Sequence, residues 1–300
     1  MKKKKRFTRD SLSAMMMLMP SLLFLCLCSI YPFVWMVKYS FYDYNGFTAT
    51  YTGTRNFTRM MGDTAFWRSV LHTFEYAFYK LIFIIPISLL VAVWLNARMK
   101  GSGFFRAVYF MPTVISTSIS GMIFMFIFAT KNGILNEMLM ALHIIDLPVR
   151  WLTSQDWVMA AITIMAIWGG FGNYMLYFIT GMSGINEEVY ESAKIDGANG
   201  SQIFFRITLP MLAPVMKVIL MLAITGAFKD YEAIMVLSQG GPGNRSMVMF
   251  LYIYNMIFGS SNLAVPQIGY GAALSIGAAI VVGAVTVVYL IVSRKLDDVL

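Results

Sequence analysis

The chain has 300 residues, of which 58% are hydrophobic and 13% charged, and its mean hydropathy is +0.68. A soluble domain of this length needs a far larger charged surface, so composition excludes one and leaves a membrane bundle of about six helices, at roughly 20 apolar residues per span. The net charge of +8 does not signal a nucleic-acid binder, because the lysines and arginines flank apolar runs instead of forming one footprint.

A basic start, Lys2 to Lys5 with Arg6 and Arg9, precedes an apolar run from Leu12 to Val37. That run is longer than a signal-peptide core, and Leu25-Cys26-Leu27-Cys28 offers no small-x-small cleavage site. The reading is a basic tail over 1–13 followed by a retained span. Cys26 and Cys28, two residues apart, point to different sides of a helix and read as packing residues. Residues 14–300 read as one all-α transmembrane domain, with spans at about 14–37, 70–95, 104–129, 158–181, 211–237 and 268–292. Tyrosines and Phe41 between 39 and 51 suit a lipid–water interface. Gly269, Ala273, Gly277 and Ala284 form a small-residue packing stripe on the last span.

Six spans place both termini on one side. That side holds 13 lysines and arginines: six in the N-terminal tail, three in 96–106, two in 183–206 and two at the C-terminus. The other side holds seven: Lys38, Arg55, Arg59, Arg68, Lys131, Arg150 and Arg245. The excess puts both termini, and 183–206, in the cytoplasm.

The segment after the fourth span is organised. Asn186 is a helix cap, Glu187 and Glu188 complement the positive helix end, and Gly197 is a natural stop. A second short helix over about 201–207 should end near Pro210. Val189, Tyr190, Ala193, Phe204 and Phe205 give the pair an apolar side. From the residues alone it is either a solvated loop or a docking element, since apolar surface rimmed by charge suggests a partner.

The run Glu191-Ser192-Ala193, three residues, Gly197, nine residues, then Ile207-Thr208-Leu209-Pro210 resembles the EAA loop of ABC importer permeases, with Ser192 in the place of an alanine. Tyr190 before it, and Ile195-Asp196-Gly197-Ala198 after it, are similar to the carbohydrate branch, the relatives of the maltose and glycerol-phosphate permeases. Lys100-Gly101 through Phe104-Phe105-Arg106 to Met111-Pro112, Gly133 to Asn136, and Ser238-Gln239-Gly240-Gly241-Pro242 resemble other family stretches. The resemblance implies a type I, maltose-permease-like six-helix core forming half of a heterodimeric pore. It implies as partners a second homologous permease subunit, an ATP-binding cassette ATPase dimer that carries ATP-Mg, and an extracellular or periplasmic sugar-binding protein, all at the cytoplasmic membrane. It also implies that Glu191, Ser192, Ala193, Asp196, Gly197, Ala198, Ile207 and Pro210 couple ATPase closure to alternating access, and that the cargo is a sugar or oligosaccharide.

Charges inside spans are functional candidates. Lys229, Asp230 and Glu232, flanked by Phe228 and Tyr231, read as a polar sugar site or as an ion pair near the interface, Lys229 and Glu232 being three apart on one helix. Trp168, Asn173 and Tyr174 lie around Gly169, Gly170 and Gly172, which suit either a bent or unwound helix or close packing. The family resemblance adds these residues to the substrate path. His72, Glu75 and Lys80 are polar residues of the second span without an assigned role.

The chain has no Gly-x-x-x-x-Gly-Lys phosphate loop, so it should bind no nucleotide or other cofactor itself. Gly181-Met182-Ser183-Gly184 looks like an intramembrane protease nucleophile, but both histidines precede it, and His72-x-x-Glu75 lacks a second zinc-binding histidine. The rival class is a secondary transporter or channel with no ATPase partner, which often carries inverted repeats; none is evident.

Overall fold

The computed structural model describes residues 9–96, 101–259 and 265–297. Lys2 to Arg6, and Arg98 with Lys100, lie outside them. Helix α1 (Ser13–Tyr39) leads to strands β1 (Tyr42–Tyr44) and β2 (Ala49–Tyr51) and helix α2 (Arg55–Gly62). Helix α3 (Thr64–Asn96) follows, then α4 (Ser102–Val114), α5 (Thr117–Ile127), α6 (Ile134–Ala141) and α7 (Val158–Ser183). Next come α8 (Glu187–Ile195), α9 (Gly200–Met211), α10 (Ala213–Lys229), α11 (Glu232–Leu237), α12 (Met249–Phe258) and α13 (Ile268–Asp297).

Among the described residues four unbroken helices, α1, α3, α7 and α13, are long and apolar enough to cross a membrane. Two bent stretches complete six: α4 with α5, at 94°, and Gly200–Met211 with Ala213–Leu237, at 69°. The third span, expected over 104–129, is bent. It breaks because Ile115 is extended and Ser116 starts a new helix, its hydroxyl accepting from Ile119 N. Two π-helical turns, Cys26–Ile30 and Phe204–Thr208, each lie just before a proline, Pro32 and Pro210. The wider turn relieves the clash between the ring and the carbonyl four residues earlier. The short helix therefore runs through Pro210 and ends one residue later, at Met211, where the chain bends by 69° into α10.

The chain divides into two compact units, residues 1–63 with 253–277, and 64–252 with 278–300. In the first, β1 and β2 pair antiparallel, with Tyr42 opposite Tyr51. Asn56 Nδ2, on α2, ties the hairpin down by donating to Ser40 O and Tyr42 O, both at 2.9 Å. Gly269 lies so close to the Tyr42 carbonyl that a Cβ has no room, which gives the small-residue stripe its packing role at that position.

In the second unit α3 and α7 form the most extensive helix pair, and α5 packs on α11. Ser88 Oγ, on α3, donates to Phe171 O of α7 at 2.9 Å. One buried cluster includes Phe124, Phe128, Trp151, Ile162 and Ile234; another includes Ile84, Leu95, Phe178, Leu212 and Ile219. The Gly133–Asn136 stretch is structural. Buried Asn136 accepts from Trp151 Nε1 (2.9 Å) and Val149 N (3.1 Å) and donates to Val149 O (3.0 Å), holding the loop after α5 in place. A Cβ on Gly133 would collide with the backbone of Ala129. Gly133→Ala is expected to cost about 1–3 kcal/mol through that forced displacement, read as a lower unfolding temperature of the purified chain.

Candidate functional site

The 186–210 segment folds as a capped helical hairpin. Asn186 Oδ1 accepts from Glu188 N at 3.2 Å at the start of α8. The helix ends in a complete Schellman arrangement: Gly197 has φ +79°, its N–H reaches Lys194 O at 3.1 Å, and Ala198 N reaches Ala193 O at 2.9 Å. Asn199 and Gln202 then form a reciprocal capping box at the start of α9. An Asn-x-x-Gln signal in the sequence marks that start, at Gly200, one residue before the expected one.

The apolar side differs from the sequence expectation. Ala193 is buried, and Val189, Tyr190 and Phe204 are half-buried, so these residues largely hold the hairpin together. What remains exposed is Ile195 at 86% and Phe205 at 62%. Thr208, buried beneath the pair, donates to Tyr190 Oη at 3.4 Å. A cleft of about 590 Å3 runs beside α8, between Tyr190, Glu191 and Lys194 on one side and the ends of α3 and α7 at Asn96 and Met182 on the other. Glu191, Ser192, Asp196, Gly197 and Pro210 are exposed, while Ala198 and Ile207 are half-buried.

A second cluster lies among the span helices. The fifth span is broken: α10 stops at Lys229, Asp230 is extended (ψ 120°), and α11 restarts at Glu232. Asp230 Oδ2 accepts from Tyr76 Oη at 2.6 Å and Lys80 Nζ at 2.8 Å, both on α3. Tyr76 is fully buried, and the side chains of Lys80 and Asp230 are 12% and 22% exposed. Two charge-assisted bonds thus fix the side chain of the residue at which the helix breaks.

This corrects the pairing read from the sequence. Lys229 and Glu232 no longer share one helical face; both are exposed, and the ion pair that forms joins Asp230 to Lys80. Phe228 is buried beside Ala77 and Ala227 and packs edge-on against Phe74 at 4.8 Å. Trp168 and Tyr231 both pack on the cluster that contains Tyr76. Trp168 also faces an apolar groove of about 490 Å3 between α3 and α7, alongside Tyr79, Phe83 and Phe171. Tyr174 belongs to the other cluster, and Asn173 is half-buried beside it. The glycines do not unwind α7, which is continuous. Gly172 instead abuts Tyr109 O at 2.6 Å and Gly170 abuts Ile84 Cδ1 at 3.1 Å, measured from where a Cβ would stand.

Two of the polar residues of α3 that the sequence left without a role, His72 and Glu75, anchor the loop after α11. Arg245 grips Glu75 with two bonds, Nη1 to Oε2 at 2.6 Å and Nη2 to Oε1 at 2.7 Å. Those hydrogen bonds, opposed by partial burial, raise the Arg245 pKa above its ordinary value and keep it charged. His72 Nδ1 lies 3.2 Å from Met247 O, which places its proton on Nδ1, and Thr73 Oγ1 accepts from Met249 N at 2.9 Å. Partners 170 to 176 residues away gave no local signal. Among the described residues no three His, Cys, Asp or Glu side chains converge on a metal position.

Residues 84–298 match the family model described as binding-protein-dependent transport system inner membrane component. The chain belongs to that family. It is the membrane permease component of an ABC importer, and the ATPase is a different component of such systems. The permease is 34% identical over 250 residues to the arabinooligosaccharides transport system permease protein AraP of Bacillus subtilis (strain 168), covering 82% of this chain and 77% of AraP. It is 32% identical to the trehalose/maltose transport system permease protein MalF of Thermococcus litoralis, covering 81% and 80%. The permease has the fold of a chain in a bacterial ABC transporter involved in the import of the acidic polysaccharide alginate, with TM-score 0.82 over 97% of this chain and 98% of that one, at 24% identity.

Proposed function

We propose that this permease passes a sugar or oligosaccharide, and that the α8–α9 hairpin couples the pore to a cytoplasmic ATPase. One observation carries the coupling: between two span helices stands a pair of short helices, capped at both starts and closed by Gly197, with Ile195 and Phe205 exposed. A rigid pair with an exposed apolar surface can transmit a rigid-body motion to the attached spans. Glu191, Ser192, Ala193, Asp196, Gly197, Ala198, Ile207 and Pro210 form or support this element, and the ATP-Mg it responds to is held by the partner ATPase dimer. The second half of the pore is a homologous permease. Both termini are cytoplasmic, and a binding protein delivers the cargo on the outer side. Residues 14–300 act as one permease domain behind the basic tail.

The sugar reading is supported by the relatives, whose names specify arabinooligosaccharides, trehalose or maltose, and lactose. Trp168, Asn173, Tyr174, Lys229, Asp230, Tyr231 and Glu232 remain the substrate candidates, with aromatic faces for sugar rings and polar groups for hydroxyls. Asp230 is the foremost: among the described residues its two donors, Tyr76 and Lys80, both use Oδ2, which leaves Oδ1 as an acceptor for a sugar hydroxyl. Affinity purification on this chain from gently solubilised membranes is expected to bring an ATPase and a second permease in fixed ratio. A chain that purifies alone, and transports in ATP-free vesicles, would make it a secondary transporter.

A further inference from the structure

The first unit contains a polar pocket of about 440 Å3, walled by Asp43 and Asn45 of the hairpin, Arg55 and Arg59 of α2, and Gln267 ahead of α13. Its frame is fixed. Asn56 bonds α2 to the hairpin, and the Arg59 guanidinium lies 3.8 Å above the Tyr270 ring while Nη1 donates to Gln267 Oε1 at 2.7 Å. An aromatic face and a neutral amide orient Arg59 without cancelling its charge. Arg55 stands one helical turn earlier on the same wall, and its guanidinium has no hydrogen bond or ion pair among the described residues. Asp43 lines the pocket too, yet pairs with neither arginine. Two guanidiniums against the one Asp43 carboxylate leave the lining an excess positive charge, and like charges four residues apart on a helix repel, so the pocket favours a further anion. Phe47 and Val265 are exposed at 96% and 57%, and arginine with exposed apolar residues is the composition of a protein-binding surface.

We propose that this pocket takes an acidic side chain of the substrate-binding protein when that protein docks. The inference rests on the importer reading. Its segments follow the first and fifth spans, the side that the lysine and arginine count assigns to the outside, where a binding protein must arrive. The charge acts as a steering and registering contact, so its effect falls on docking and not on the chemistry of ATP hydrolysis.

The test uses the complete transport complex in lipid nanodiscs, with ATP hydrolysis followed against the concentration of the substrate-loaded binding protein of the same system. Arg55→Gln is expected to raise the half-saturating concentration about 5- to 10-fold, to leave basal and maximal rates unchanged, and to flatten the salt dependence of half-saturation. Arg55→Lys, which keeps the charge, is expected to recover most of the shift. An unchanged half-saturating concentration in Arg55→Gln overturns the proposal. So does a shift seen in phosphatidylglycerol discs and lost in phosphatidylcholine discs, which assigns the pocket to a lipid phosphate. If the unaltered complex shows no stimulation by the binding protein, the importer reading falls and the docking pocket falls with it.

Discussion

Gly197→Asp is expected to leave the permease in the membrane at normal abundance and to lower substrate uptake on the order of 100-fold, the effect of about 2.7 kcal/mol lost from a docking contact. The position explains both halves of that result. Gly197 has φ +79° and open space where a Cβ would stand, so a side chain fits sterically but sits in a backbone region that costs a non-glycine residue roughly 1–2 kcal/mol. The fold tolerates this, because the hairpin is short and the span helices do not depend on it. The new carboxylate, however, joins Asp196 and Glu191 on the exposed surface proposed to meet the ATPase. Gly197→Asn, which accepts the same backbone at similar size without charge, separates strain from electrostatics and is expected to retain most of the activity. Uptake and ATP hydrolysis measured together make the comparison. Normal uptake by Gly197→Asp would remove the hairpin from the coupling path.

Lys80→Met is expected to be the most damaging single change inside the spans. It leaves the Asp230 carboxylate with only the Tyr76 hydroxyl in a largely buried setting, and an unpaired buried charge costs about 3–5 kcal/mol. The break between α10 and α11 then loses its anchor on α3. Abundance in the membrane should fall severalfold, and uptake per molecule by about 100-fold or more, because Asp230, the proposed substrate acceptor, moves with the break. Adding Asp230→Asn to Lys80→Met removes the stranded charge. That double variant should regain abundance but not transport, which separates folding from substrate contact. Immunoblotting of membranes alongside labelled-sugar uptake reads both. Full uptake by Lys80→Met would show that the ion pair does not hold the site.

What could be read in advance was local. Asn186, Gly197 and the span lengths act through neighbours a few residues away, so their caps, stop and helices follow from short-range rules. The pairs that organise the polar clusters are not local. Lys80 meets Asp230 across 150 residues and Arg245 meets Glu75 across 170. Reasoning from i, i+3 spacing instead paired Lys229 with Glu232, which the break at Asp230 separates. The glycine run in α7 left an unwound turn and close packing both open, and the structure has close packing. The run's weak helix propensity was overridden because neighbouring backbone at Tyr109 needs the space, and an unwound turn in lipid leaves polar groups unsatisfied. The bend at Ile115 was signalled by Pro112 and by Ser116 as a cap, inside a run whose hydropathy looked continuous.

The central claim is that the pore opens in response to ATP used by a partner, through the 186–210 hairpin. The most direct measurement is uptake of a labelled oligosaccharide into vesicles that contain the purified complex, with the binding protein outside and ATP trapped inside. The account predicts uptake only when both are present, with no effect of dissipating ion gradients. Uptake without ATP that collapses when an ion gradient is dissipated would contradict it.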